Sequence, residues 1–281
     1  MKKLNEAIAV ITGGSRGAGR GIALALADRG ATVYVTGRTT RGAEAPDNLA
    51  GTVEDTAEEV TSRGGKGIAG VCDFTKDAGV AALAEQVGRD HGRIDILVLN
   101  AWGGYEGNMT GLAIKPFWQL PDAWNSMFER GVHLHLRAAN ALVPLMLDHP
   151  GGLIVTTIAW DRGKYGRNLY YDLSKQIARR MAYDMALELK PKHIASIALA
   201  PGFMRTERIL EAHRRHPFDL GMTESPEYVG RAVAALASDP DVLTLTGGVF
   251  TSGELAQRYG FTDIDGRQPP PFKAPDEFYL D

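Results

Sequence analysis

Residues Ala7 to Arg29, AIAVITGGSRGAGRGIALALADR, join an apolar run to a second apolar stretch through a turn rich in glycine. Ala7–Ile11 has the unbroken hydrophobicity of a strand buried on both faces, and Ala18–Ala27 repeats small apolar residues at helical spacing. Between them Thr12, Gly13, Gly17 and Gly19 spell T-G-x-x-x-G-x-G, with Gly14 and Gly21 adding further freedom. Residues without Cβ let the chain turn sharply, let backbone N–H groups approach a ligand, and aim the positive end of the helix at a pyrophosphate. A glycine turn that binds nothing is the plain alternative. Its place between strand and helix, at the start of a chain that keeps alternating, favours a dinucleotide cradle of Thr12, Gly13, Gly14, Ser15, Arg16, Gly17, Ala18 and Gly19.

The alternation is what the rest of the chain shows. Strands are expected at Thr32–Thr36, Gly67–Cys72, Ile94–Leu99, Leu153–Ile158, Ile194–Leu199 and Gly248–Thr251, and helices near Asn48–Ser62, Asp77–Asp90, Asp122–Leu147, Leu169–Leu189 and Pro226–Ala237. Such a βαβ rhythm predicts an α/β fold with a parallel sheet covered on both faces. At 281 residues the chain can bury one large core without staples, so a single domain is expected over 1–267, followed by a proline-rich tail, 268–281. Three segments break the rhythm: Gly103–Leu120, Phe203–Thr223 and Ser252–Asp281. The first two follow strand carboxyl ends and are candidate walls of a substrate site.

A net charge of -3 gives no basic field for nucleic acid or an anionic membrane. The single cysteine, Cys72, excludes an intrachain disulfide and a thiolate metal site, which fits a cytoplasmic setting. No apolar run reaches membrane-spanning length, and the first apolar run reads as a strand rather than a signal. His133 and His135 are two apart and share no helix face, so no metal is expected.

The second strand ends in Thr36-Gly37-Arg38, where NAD-selective sites carry an acid for the ribose 2′-hydroxyl. Arg38, with Arg16 in the glycine loop, suits a 2′-phosphate instead, so NADP(H) is the expected cofactor. Asp73 at the third strand's end is placed to accept from an adenine amino group or to cap a helix, and Asn100 after the fourth is placed to hold the cofactor floor. Tyr171 and Lys175 lie one helical turn apart. A nearby ammonium lowers a phenol's pKa, which makes Tyr171 a candidate general acid/base; alone, the pair is equally an ordinary helix-surface pair.

Together, Thr12 to Gly19, Asp73, Asn100-Ala101, Tyr171-x-x-x-Lys175 and Pro201-Gly202-Phe203-Met204-Arg205-Thr206 resemble the single-domain short-chain dehydrogenase/reductase family over nearly the whole chain. Within it, the strings GATVYVTGR, RGVHLHLRA and ELAQRYGFTDIDGR resemble the dehydrogenase/reductase member 1 subgroup. The resemblance implies a Rossmann-like doubly wound parallel sheet in three α/β/α layers, a nicotinamide cofactor, and hydride exchange with a carbonyl or alcohol. It implies that Tyr171 passes the proton and that Lys175 holds the nicotinamide ribose. Further cofactor contacts would come from Asp73, Phe74, Asn100, Ala101, Pro201, Gly202, Phe203 and Thr206. It also implies a homo-oligomer, because the helices at Asp122–Leu147 and Leu169–Leu189 commonly lie between subunits in this family.

Three departures bear on catalysis. Ala159 stands where the family has its catalytic serine, leaving Thr157, two residues earlier on the same strand face, as the first substitute donor ahead of Asp161 and the Trp160 indole. Gly131 stands where many members have a helix asparagine, and Trp102 ends a motif that is otherwise Asn-Asn-Ala-Gly. Trp102, Ala159, Trp160, Phe203 and Met204 are the expected substrate-binding residues. The reading is an NADP(H)-dependent oxidoreductase acting on a fairly apolar small molecule; the alternative is an NADP(H)-binding sensor with weakened catalysis.

Overall fold

The computed structural model describes residues 4–43, 45, 48–106, 115–120, 123–159, 163–166 and 168–273. Its centre is one seven-stranded parallel sheet in the order β3-β2-β1-β4-β5-β6-β7, formed by Ile8–Thr12, Thr32–Gly37, Lys66–Val71, Ile96–Leu99, Leu153–Thr157, Ala195–Ala200 and Val249–Thr251 for β1 to β7. Successive residues of the central strands feed opposite cores, as the period of two requires. Ala9, Ile11, Val33, Val35, Val98 and Val155 belong to one core, and Val10, Tyr34, Leu97, Leu99 and Ile154 to the other.

The first core is covered by α1 (Gly17–Ala27), α2 (Val53–Ser62), and, from later in the chain, α8 (Pro226–Ser238) and α9 (Ser252–Tyr259). The second lies under α3 (Asp77–His91), α5 (Leu134–Leu142) and α6 (Leu169–Leu189). This is the doubly wound, three-layer α/β/α arrangement expected. Helices α1 and α8 touch backbone to backbone, because a Cβ at Gly21 would run into the Pro226 carbonyl and one at Gly230 into the Gly21 carbonyl.

The helix expected at Asp122–Leu147 is not continuous. It comprises α4 (Ala123–Phe128), a π turn at Glu129–His133, α5, and a 3-10 turn at Val143–Met146 that contains Pro144, which lacks the N–H a helix interior needs. Two helices lie in segments expected to be irregular: α7 (Glu207–Arg215) and α9, the latter held by a capping box between Thr251 and Glu254. Beyond α9 the chain turns back onto the body. Asp263 is buried and accepts from Ser225 N at 2.8 Å, and Tyr228 Oη donates to Pro269 O at 2.9 Å.

The order reverses between β1 and β4, which diverge into β2 and β5 on either side. Ligands of open α/β sheets bind in the crevice at the carboxyl ends at such a point.

Candidate active site

A cleft of about 1290 Å³ opens at those carboxyl ends, from the glycine turn to the start of α6. Gly13, Ser15, Arg16, Gly17, Ala18, Arg38, Asp73, Phe74, Asn100, Ala101, Trp102, Thr157, Ala159, Tyr171, Lys175, Pro201, Gly202, Phe203, Met204 and Thr206 all line it. Thr12, Gly14 and Gly19 are buried around its floor, and Trp160 lies outside the described residues. Residues 107–114 and 121–122 of the first expected wall and its border also lie outside them.

At the cradle end the backbone requires glycine. Gly13 and Gly17 have φ of 70° and 55°, and a Cβ on Gly13 would stand 2.7 Å from Ala101 Cα. Arg16 at the N-cap of α1 supplies no side-chain cap, and the Gly17 N–H instead donates to Glu207 Oε2 at 2.9 Å. A carboxylate of this chain therefore occupies the helix end, the position where a phosphate oxygen would accept the same bond. The residues present fit a dinucleotide in this respect.

The floor is tied across three strands. The Thr12 hydroxyl accepts from the N–H groups of Asn100 and Ala101, at 2.8 and 3.0 Å, and donates to Val98 O at 3.1 Å. Asn100 Nδ2 donates to the carbonyls of Thr12 and Gly13, both at 3.1 Å, while its Oδ1 accepts from Thr157 Oγ1 at 3.3 Å. Asn100 thus clamps the ends of β1, β4 and β5. The Thr157 hydroxyl is buried and directed toward that clamp, whereas Ala159 at the cleft offers only a methyl.

At the expected adenosine end the two arginines have partners within the chain. Arg38 forms an ion pair with Glu106, which also holds Arg130 at 3.0 Å, and Arg16 donates to the carbonyls of Ala50 and Gly51 at 3.0 and 2.9 Å. Burial lowers the Arg16 pKa. Asp73 Oδ1 accepts from the Thr75 N–H and hydroxyl at 3.0 and 2.8 Å, as a local turn cap. Phe74 is chiefly core.

The proton-transfer candidates start α6. Asn168 caps that helix by accepting from Tyr171 N at 3.0 Å, which fixes the Tyr171 backbone at the cleft mouth. One turn on, Lys175 Nζ lies 5.8 Å from the Tyr171 ring centroid and 3.9 Å from that of Trp102. Burial lowers the Lys175 pKa to about 7. Tyr105 stacks on Tyr171 at 5.9 Å and 20°, with its hydroxyl hydrogen-bonded to Tyr171. Burial, then the neighbouring Tyr171, push the Tyr105 pKa well up.

Phe203 and Met204 of the second wall lie in the loop between β6 and α7, and α7 forms part of the same wall. Thr206 caps α7 by accepting from Ile209 N at 3.4 Å, and Gly202 N donates to Glu224 Oε1 at 2.9 Å. Burial raises the Glu224 pKa to about 7, despite that bond. Phe272, from beyond Arg267, also lines the cleft. Sequence reasoning missed Glu106, Glu207 and Phe272 as site residues. Their partners are remote in sequence, up to 190 positions for Glu207 and Gly17, and no local pattern marks such pairs. Among the described residues no group of acids, histidines and cysteines is arranged to hold a metal ion.

A short chain dehydrogenase profile matches residues 7–215. Dehydrogenase/reductase SDR family member 1 of Mus musculus is 37% identical over 273 residues, 92% of this chain and 84% of that protein. The solved hydroxysteroid dehydrogenase from Escherichia coli superposes with a TM-score of 0.69 at 26% identity, covering 89% of this chain and 96% of its own. A 7α-hydroxysteroid dehydrogenase solved with NADH and 7-oxo glycochenodeoxycholic acid gives 0.71 at 25% identity, over 95% and 96%. Sequence profile and fold agree, and the chain belongs to the short-chain dehydrogenase/reductase family.

Proposed function

We propose that this oxidoreductase interconverts a carbonyl and an alcohol on a small, fairly apolar molecule, with NADP(H) as cofactor, Tyr171 as general acid/base and Lys175 lowering its pKa. The observation that carries this is the Tyr171–Lys175 pair at one end of a cleft whose other end is the glycine cradle. When bound, the nicotinamide exchanges a hydride with the carbonyl carbon. Thr12 to Gly19 would hold the pyrophosphate, Arg38 the 2′-phosphate, and Asn100, Ala101, Lys175, Pro201, Gly202 and Thr206 the nicotinamide half.

Tyr171 gives its phenolic proton to the carbonyl oxygen in reduction and takes it back in oxidation. A Lys175 ammonium beside it stabilises the phenolate in both directions. Thr157 is the proposed second donor to that oxygen: its 3.3 Å bond to Asn100 is long, and a swing of the hydroxyl would free it. Trp102, Phe203, Met204 and Phe272 line an apolar region that would exclude water and suit a substrate with little charge. Exposed Leu173, Ile177, Tyr183 and Leu187 on α6, with Trp124 and Leu136, support a homo-oligomer formed through these helices. Among the described residues no helix is long and apolar enough to cross a membrane, and a cytoplasmic site of action is part of this proposal.

One set of observations favours a sensor: Arg38 is paired with Glu106, Thr157 with Asn100, and Ala159 has no hydroxyl. A panel of steroid ketones, aldehydes and quinones, incubated with NADPH and followed by cofactor absorbance, separates the two. NADPH oxidation with any member supports the enzyme; tight NADPH binding without oxidation by any member supports the sensor.

A further inference from the structure

We propose that Trp102 is a positioning residue for the proton-transfer pair: seated in a slot that Gly131 leaves open, its indole holds the Lys175 ammonium and backs the Tyr171 ring. This rests on the reading of Tyr171 and Lys175 as that pair.

The slot is defined by absent side chains. A Cβ on Gly131 would collide with indole Cζ3 and stand 3.0 Å from Cη2, while one on Gly104 would stand 2.6 Å from Cζ2. These atoms lie on different parts of the six-membered ring, so a larger residue at either glycine displaces the indole. The backbone is shaped to match. Gly131 sits within the π turn, and the Arg130 carbonyl in that turn accepts from Gly103 N at 2.8 Å, binding the Trp102 loop to it.

The seated indole meets the Tyr171 ring edge to face, with centroids 5.5 Å apart and planes at 85°, and has Tyr105 at 5.6 Å. Its Nε1–H is buried with no acceptor among the described residues. Ring packing and the ammonium 3.9 Å above its centroid therefore hold it, not a hydrogen bond. The ring face carries negative potential and offsets part of what burial takes from a cation. Of the other titratable groups, Tyr171 on α6 lies against the ammonium with Tyr105 of the Trp102 loop bonded behind it, and His135 on α5 feels its charge. His135 is buried with neither ring nitrogen hydrogen-bonded among the described residues, and burial, reinforced by the Lys175 charge, pushes its pKa down to about 3. It is neutral and supplies no charge of its own near pH 7.

Two measurements test this without using turnover. In the first, the full chain is labelled with carbon-13 at lysine Cε, the Lys175 signal is assigned by its loss in Lys175→Arg, and its titration is followed by NMR. Trp102→Leu keeps an apolar side chain at the slot but removes the ring face, and should lower the Lys175 pKa by about 0.4 to 1.5 units, the size of a cation–ring contact. Trp102→Phe should lower it less. An unchanged or raised value in Trp102→Leu overturns the proposal. In the second, thermal melts are compared for Gly131→Asn, Trp102→Gly and the double variant. A matched slot predicts that the double variant recovers most of the loss caused by Gly131→Asn; losses that simply add overturn it. A wild type that reduces no carbonyl would defeat the enzyme reading and leave both measurements interpretable.

Discussion

Glu106 bonds Arg38 and Glu207 bonds the Gly17 N–H, the two groups proposed to receive a dinucleotide's phosphates. A partly exposed ion pair is worth about 0–1 kcal/mol, whereas a charge-assisted hydrogen bond contributes about 1.5–3 kcal/mol, so a 2′-phosphate should take Arg38 from Glu106. We expect NADPH to bind at least about tenfold more tightly than NADH, the equivalent of roughly 1.4 kcal/mol, and Arg38→Ala to erase most of the difference. Glu207→Gln should tighten both cofactors by about two- to fivefold, since charge at a helix end is worth about 0.3–1 kcal/mol. Fluorescence titration reads all three; equal NADPH and NADH affinities in the wild type would remove Arg38 from the phosphate role. For the carbonyl, Thr157→Val should lower kcat by about 10²–10³ with cofactor affinity unchanged, and Ala159→Ser should add little. A large gain from Ala159→Ser, with Thr157→Val silent, would show that Thr157 does not donate, and Tyr105→Phe would then test the Tyr105 hydroxyl, which is hydrogen-bonded to Tyr171.

Elements report how closely the backbones approach. Gly230→Ala sets a methyl against the Gly21 carbonyl where α8 crosses α1, and overpacking of this kind costs about 1–3 kcal/mol. Chemical denaturation should show that loss; a wild-type midpoint would mean the helices separate freely. The seven strands were legible because buried parallel strands are short apolar runs, and their ends fall within two residues of those expected. The helix from Ala123 was misread because its apolar spacing continues through the π turn, where only Gly131 hints at a break. Helix α7 buries none of its residues and is full of charge, so it carries no core signal. Helix α9 did carry one, Thr251-x-x-Glu254, obscured by the proline run that follows. In the site, the glycine cradle and Tyr171-x-x-x-Lys175 were legible because each is local. The Trp102 seat, Glu106 and Glu207 were not, because tertiary packing brings their partners together.

For the whole molecule, Glu224 behind Gly202 and Lys175 in the cleft should shape stability against pH. Glu224, raised from 4.5 to about 7, binds more protons folded than unfolded between those values, so its contribution to stability is present below pH 4.5 and is lost as pH rises through about 7. Lys175, lowered from 10.5 to about 7, binds fewer protons folded between those values, so its contribution is present above 10.5 and is lost as pH falls through about 7. These two groups alone place a minimum near pH 7, with slopes of at most about 1.4 kcal/mol per pH unit on either side. Denaturation across pH should show Glu224→Gln flattening the acid limb and Lys175→Met the alkaline one; limbs unchanged in both variants would mean neither group is shifted. The central claim is that Tyr171 moves the proton in a carbonyl–alcohol exchange, and the direct measurement is kcat and NADPH affinity for wild type and Tyr171→Phe with the best carbonyl of the panel. The account predicts a loss of at least about 10² in kcat, the usual scale for a general acid, with NADPH affinity nearly unchanged. Turnover by Tyr171→Phe at the wild-type rate would contradict it.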